Sequence, residues 1–88
     1  MKRVRAVVSG RVQGVGFRYA CEDVARDHGI SGWVRNLPDG RVEAEFEGLD
    51  ADVDALITWC RQGPPMAWVD SVEVSSLAST GESGFRVL

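Results

Sequence analysis

The segment Gly10-Arg11-Val12-Gln13-Gly14-Val15-Gly16-Phe17-Arg18 constrains this chain more than any other. Before it, Val4, Ala6 and Val8 alternate with Arg3, Arg5 and Val7, the period-two pattern of a half-buried strand. After it, Phe17, Ala20, Cys21, Val24, Ala25 and His28 recur at helical spacing along one face. A strand must therefore pass through three glycines and become a helix. Glycine lets backbone amides turn inward and lets a ligand approach closely. A helix start presents free N–H groups and a partial positive charge. Arg18 adds charge of the same sign, which is unfavourable until an anion arrives. The segment reads as a cradle for a phosphate-sized anion. A plain tight connection is the alternative reading of the glycines alone.

The remaining elements follow from local pattern. Gly29 stops the first helix. Ile30 to Asn36 reads as a second strand, Leu37-Pro38-Asp39-Gly40 as a turn, and Val42, Ala44 and Phe46 alternate with Glu43, Glu45 and Glu47 in a third strand. Asp50 and Asp52 are both candidate N-caps of a second helix, whose apolar face is Val53, Leu56, Ile57 and Cys60. Gly63-Pro64-Pro65 ends it. Trp68 to Ser76 is a fourth strand, Leu77 to Gly84 a polar loop, and Phe85 to Leu88 a short closing strand. The order β-α-β-β-α-β predicts an α+β fold. It is a ferredoxin-like split β-α-β sandwich, with a four- to five-stranded antiparallel sheet and both helices on one face. Residues 1–88 are read as a single domain.

That topology makes positional predictions. Strand 1 lies beside strand 3, so Arg3 and Arg5 face Glu43, Glu45 and Glu47, either as cross-strand ion pairs or above a solvated acidic stripe. Strands 1 and 2 run parallel and end at the same sheet edge. Asn36, in phase with Ile30, Gly32 and Val34, then points to the helix side and converges on the glycine loop. By position alone an asparagine beside a turn also reads as a turn cap. Cys21 and Cys60 are expected as reduced core thiols; the topology lets them approach one another, and a disulfide is the alternative. His28 belongs at the opposite edge, and Trp33, Trp59 and Trp68 are read as packing residues.

Charge and composition exclude several classes. Among 88 residues there are 10 basic and 13 acidic side chains, a net charge of −3. Yet Lys2, Arg3, Arg5, Arg11 and Arg18 all precede the first acidic residue, Glu22. A basic patch inside an acidic protein suits a small anion better than a nucleic-acid backbone. An RNA-reading sheet would carry aromatic and basic residues where strand 3 carries glutamates. The glycine loop lacks the Lys-Ser/Thr ending of a nucleotide P-loop and the spacing of a dinucleotide fold. One histidine and two distant cysteines match no metal-ligand spacing. No apolar run reaches the roughly 18–20 residues of a membrane span. Strand-like alternation, rather than a signal-peptide core, follows Met1-Lys2-Arg3. A cytoplasmic monomer with no nucleic-acid or membrane partner is expected. Sensing, RNA-binding and assembly modules share the fold, which alone does not decide among them.

Two motifs carry a family resemblance. Gly10-Arg11-Val12-Gln13-Gly14-Val15-Gly16-Phe17-Arg18 resembles the first signature of the acylphosphatase family. Gly32-Trp33-Val34-Arg35-Asn36-Leu37-Pro38-Asp39-Gly40-Arg41-Val42, with Gly48 further on, resembles the second. The resemblance implies a small, metal-free, cofactor-free hydrolase whose partner is a small-molecule acyl phosphate. It implies catalytic roles for Arg18, as the phosphate-binding arginine, and Asn36, as the residue that orients the attacking water. It implies a phosphate cradle of the amides of Gln13, Gly14, Val15, Gly16, Phe17 and Arg18. Leu37 and Leu88 depart from the pattern, which often has threonine and tyrosine at those places.

Overall fold

Alternation in the strands and helical spacing between them build two layers. The computed structural model describes residues 1–88. Its elements are β1 (Lys2–Arg11), α1 (Phe17–Asp27), β2 (Ser31–Asn36), β3 (Val42–Gly48), α2 (Asp50–Gln62), β4 (Trp68–Leu77) and β5 (Phe85–Val87). The sheet order is β4-β1-β3-β2-β5. β1 pairs antiparallel with both β3 and β4, and β2 pairs antiparallel with β3. β5 alone departs from the antiparallel expectation. It pairs parallel with β2, so the sheet is mixed. The chain reaches it by crossing from one border of the sheet to the other after β4.

The inward face of each element is the apolar one. Phe17, Cys21 and Ala25 of α1 and Val53, Leu56 and Cys60 of α2 are buried against Val4, Ala6, Val8, Val34, Val42, Ala44 and Phe46 of the sheet. Phe85 joins this core by stacking on Phe46, with ring centroids 6.0 Å apart. Trp59 packs against Phe17 at 5.0 Å. Trp33 is half-buried on the other face of the sheet, under the Arg35 guanidinium at 5.3 Å. Trp68 does not pack as expected: it opens the border strand β4 and is 72% exposed.

Two local features shape the ends of elements. The β1–β4 register shifts between Ser9 and Gly10, and a Cβ at Gly10 would collide with the Trp68 carbonyl. Gly10 is thus required by close approach of the two backbones. At the start of α2 the N-cap is Leu49, not Asp50 or Asp52, and no side chain caps it. Both aspartates lie within the first turn, where the helix dipole favours negative charge. Asp52 also bonds the His28 ring, Nδ1 to Oδ1 at 3.0 Å, which places His28 at the sheet edge away from the glycine loop. No helix is long and apolar enough to cross a membrane.

The face without helices is closed by charge. Arg3 reaches Glu45 at 2.8 Å, Glu47 at 3.1 Å and Glu82 at 3.0 Å. Arg5 and Arg35 both pair with Glu43. The amides of Thr80 and Gly81 donate to the Glu47 carboxylate at 2.8 and 2.9 Å. The polar loop therefore folds over the sheet, and Arg3, Glu43 and Glu47 are buried. The glutamates are ion-paired, and the solvated-stripe alternative is excluded. The Thr80 amide, the Gly81 amide and Arg3 together hold the Glu47 carboxyl below its ordinary range, against burial. Burial likewise opposes ionisation of Glu43, and Arg5 and Arg35 outweigh it.

Candidate active site

β1 ends at Arg11 and α1 begins at Phe17, so residues 12–16 must reverse the chain. Gly14 (φ 73°) and Gly16 (φ 77°) take the left-handed backbone, while Val15 between them does not. Alternating handedness turns successive amides toward one side, the arrangement that makes an anion nest. Gly16 is the N-cap of α1 and offers no side chain to cap it. The Gly16 carbonyl accepts from Ala20 at 3.1 Å. None of the amides from Gln13 through Tyr19 donates to an acceptor within the protein. The first turn of α1 also contains no acidic residue. A run of donors, a helix dipole and a cation therefore meet without a negative partner.

A depression of about 130 Å³ opens at this point, lined by Val12, Gly14, Gly16, Phe17, Arg18, Tyr19 and Asn36. Arg18 extends from the first turn of α1. Its Nη1 donates to the Leu88 carbonyl at 3.0 Å, and its guanidinium carbon lies 6.0 Å from the Tyr19 ring centroid. Like Arg11, Arg61 and Arg86 it makes no ion pair, whereas Lys2, Arg3, Arg5, Arg26, Arg35 and Arg41 do; of the unpaired four, only Arg18 lines the depression. Asn36 closes β2 opposite Val42 of β3. It is half-buried, and its carboxamide bonds no group of the protein. Arg18 and Asn36 thus share one lining although they come from α1 and the end of β2.

Gln13 and Val15 lie off that lining. Val15 packs against the core. The Gln13 side chain turns away, and its Nε2 donates to the carbonyls of Leu37 (2.7 Å) and Arg41 (3.0 Å). It braces the glycine loop against the turn that follows Asn36. This brace was not read from the sequence, because it depends on a side chain reaching across elements. The turn itself closes without a threonine. The Leu37 amide donates to the Arg41 carbonyl at 2.8 Å, and the Asp39 carboxylate accepts from the Arg41 amide and guanidinium at 3.1 and 2.8 Å. Those donors hold the Asp39 carboxyl low. Val12 and Tyr19 were also absent from the sequence expectation. Tyr19 was legible in principle, since it follows Arg18 on the helix's polar side.

Cys21 and Cys60 do approach one another. Both are fully buried and both are free thiols. The hydrogen bond with Cys60, with burial, pushes the Cys21 thiol well up. A protonated, buried thiol is a packing group and not a nucleophile.

A split β-α-β sandwich with an uncapped helix start, an arginine without an ion pair and a free carboxamide at one sheet edge defines a small α+β protein with an open, cationic edge. Comparison with known proteins gives the particular family. The acylphosphatase family model matches residues 4–87. The chain is 60% identical over 82 residues to an acylphosphatase of Anaeromyxobacter dehalogenans, across 93% of this chain and 88% of that one. It is 60% identical over 87 residues to an acylphosphatase of Rubrobacter xylanophilus, across 98% and 79%. The crystal structure of the acylphosphatase from Bacillus subtilis superposes with a TM-score of 0.96 at 36% identity, covering 100% of this chain and 99% of that one. The chain belongs to the acylphosphatase family.

Proposed function

We propose that this acylphosphatase hydrolyses the carboxyl–phosphate bond with Arg18 and the loop amides as the phosphate clamp and Asn36 as the water-orienting group. The single observation that carries the reading is the run of unengaged amides, Gln13 through Tyr19, around a guanidinium that has no carboxylate partner. Gln13, Gly14, Val15, Gly16, Phe17 and Arg18 supply the cradle through their main chain.

The chemistry requires little more. An acyl phosphate is a mixed anhydride whose leaving group is a carboxylate, with a conjugate-acid pKa of roughly 4. It departs without protonation, so the site needs no general acid. The phosphoryl group passes through a loose transition state with charge on its equatorial oxygens. Preorganised amides and a planar guanidinium stabilise that charge without reorganising, and the guanidinium engages two oxygens at once. A carboxamide accepts from water through its oxygen and donates through its nitrogen. Asn36 is too weak a base to take the proton, which passes to the substrate phosphate. The products are carboxylate and inorganic phosphate.

This reading also takes residues 1–88 as one working domain, acting as a cytoplasmic monomer. One continuous hydrophobic cluster joins both helices to the sheet, in support of the single domain. The test of function is substrate discrimination. Acetyl phosphate is hydrolysed without added metal, and glycerol phosphate, which needs a protonated leaving group, is not. Comparable rates on the two would overturn the mechanism.

A further inference from the structure

The depression has more rim than a phosphate needs. Gly14, Gly16, Phe17 and Arg18 account for the clamp, Asn36 for the water, and Val12 is buried beneath. Tyr19 remains. It is one of the residues that line the depression and is 63% exposed, and its phenol ring centroid lies 6.0 Å from the Arg18 guanidinium.

The reaction geometry decides what covers it. Attacking and leaving oxygens lie roughly in line across the phosphorus. With water on the Asn36 side, the departing carboxylate and its acyl group lie on the side away from Asn36. The one exposed large side chain left on the rim is Tyr19. We infer that Tyr19 is the platform for the acyl group, and that the site favours acyl phosphates with flat, apolar acyl groups over those with short ones. This inference rests on the clamp and water assignments above. A methyl group covers little of a phenol ring, whereas an aryl group stacks on it, an arrangement worth about 0.5–1.5 kcal/mol beyond area burial. The Arg18 guanidinium lies 6.0 Å from the ring centroid, at the outer reach of a cation–π contact.

The experiment compares kcat/KM for benzoyl phosphate and acetyl phosphate in the wild type, Tyr19→Phe and Tyr19→Ala. Exposure of Tyr19 leaves folding of both variants undisturbed. Tyr19→Ala is expected to lower the benzoyl-to-acetyl ratio about three- to tenfold, chiefly through KM for benzoyl phosphate. Tyr19→Phe is expected to keep the wild-type ratio. A ratio unchanged by Tyr19→Ala overturns the inference, as does an equal loss on both substrates, which would make Tyr19 a support for Arg18. In either case the wild-type activity still upholds the clamp. A wild type inert toward both substrates overturns both readings together.

Discussion

Two arginines of this molecule meet opposite fates. On the face without helices, Arg3 is buried and bonded to Glu45, Glu47, Glu82 and Thr80. At the sheet edge, Arg18 touches one main-chain carbonyl and an aromatic ring. The side chain is the same; the surroundings differ. Around Arg3 the protein satisfies its own charges, and the result is structure. Around Arg18 it leaves donors and charge unsatisfied, which supports the proposed phosphate clamp. A polar cluster complete within the chain holds the fold, whereas one completed only by a ligand marks the site.

The comparison can be broken by exchanging readouts. Arg18→Ala should raise the barrier for acetyl phosphate hydrolysis by roughly 3–5 kcal/mol, a loss of about a hundred- to several-thousand-fold in kcat/KM. Its unfolding free energy should stay within about 0.5 kcal/mol of the wild type, as for other surface changes. A large fall in Tm would erase the distinction. Arg3→Met should do the reverse, destabilising by about 2–3 kcal/mol in urea because buried carboxylates lose their partner. The figure sits below the usual range for a buried pair because Glu45 and Glu82 are partly exposed. The rate per folded molecule should hold.

Gln13→Leu sharpens the contrast, since Gln13 belongs to the site but acts as structure does. Its two bonds to the Leu37 and Arg41 carbonyls are lost, at about 1–2 kcal/mol of stability, although each carbonyl keeps one amide donor, from Gly40 and Leu37 respectively. The expected signature is a fall in kcat with little change in inhibition by inorganic phosphate. Phosphate inhibition that weakens as much as kcat would put the Gln13 side chain in the clamp. The smallest effect is acidic. Glu43 and Glu47 titrate lower in the folded chain than in the unfolded one. Their contribution is therefore complete above the ordinary carboxyl range and is lost as pH falls through their folded values. Tm should decline below about pH 4.5. Glu47→Gln should decline less steeply. Equal slopes would remove Glu47 from the acid response.

What the chain disclosed before any coordinates depended on distance along it. The glycine loop, the start of α1 and the β2–β3 hairpin are local, so their residues carried the signal themselves. The convergence of Arg18 and Asn36 was legible because strand order implies it. Features made by side chains from remote segments were hidden. No periodicity relates Gln13 to Leu37, or Glu47 to Thr80, and burial of Glu47 follows only once the loop lies across it. Leu49 displaced Asp50 and Asp52 as the N-cap because cap choice shifts by a residue without altering the apolar pattern. β5 is too short to declare its direction, and the exposure of Trp68 follows from β4 being a border strand.

The crossing from β4 to β5 spans the breadth of the sheet, and Arg3 and Glu47 fasten it midway. Beyond that fastening lie Phe85, seated on Phe46, and Leu88, whose amide reaches Val34 and whose carbonyl meets Arg18. The polar clasp is thus an anchor for the tail that abuts the guanidinium. Loosening it in the middle of the sheet would slacken a tether whose far end rests against Arg18.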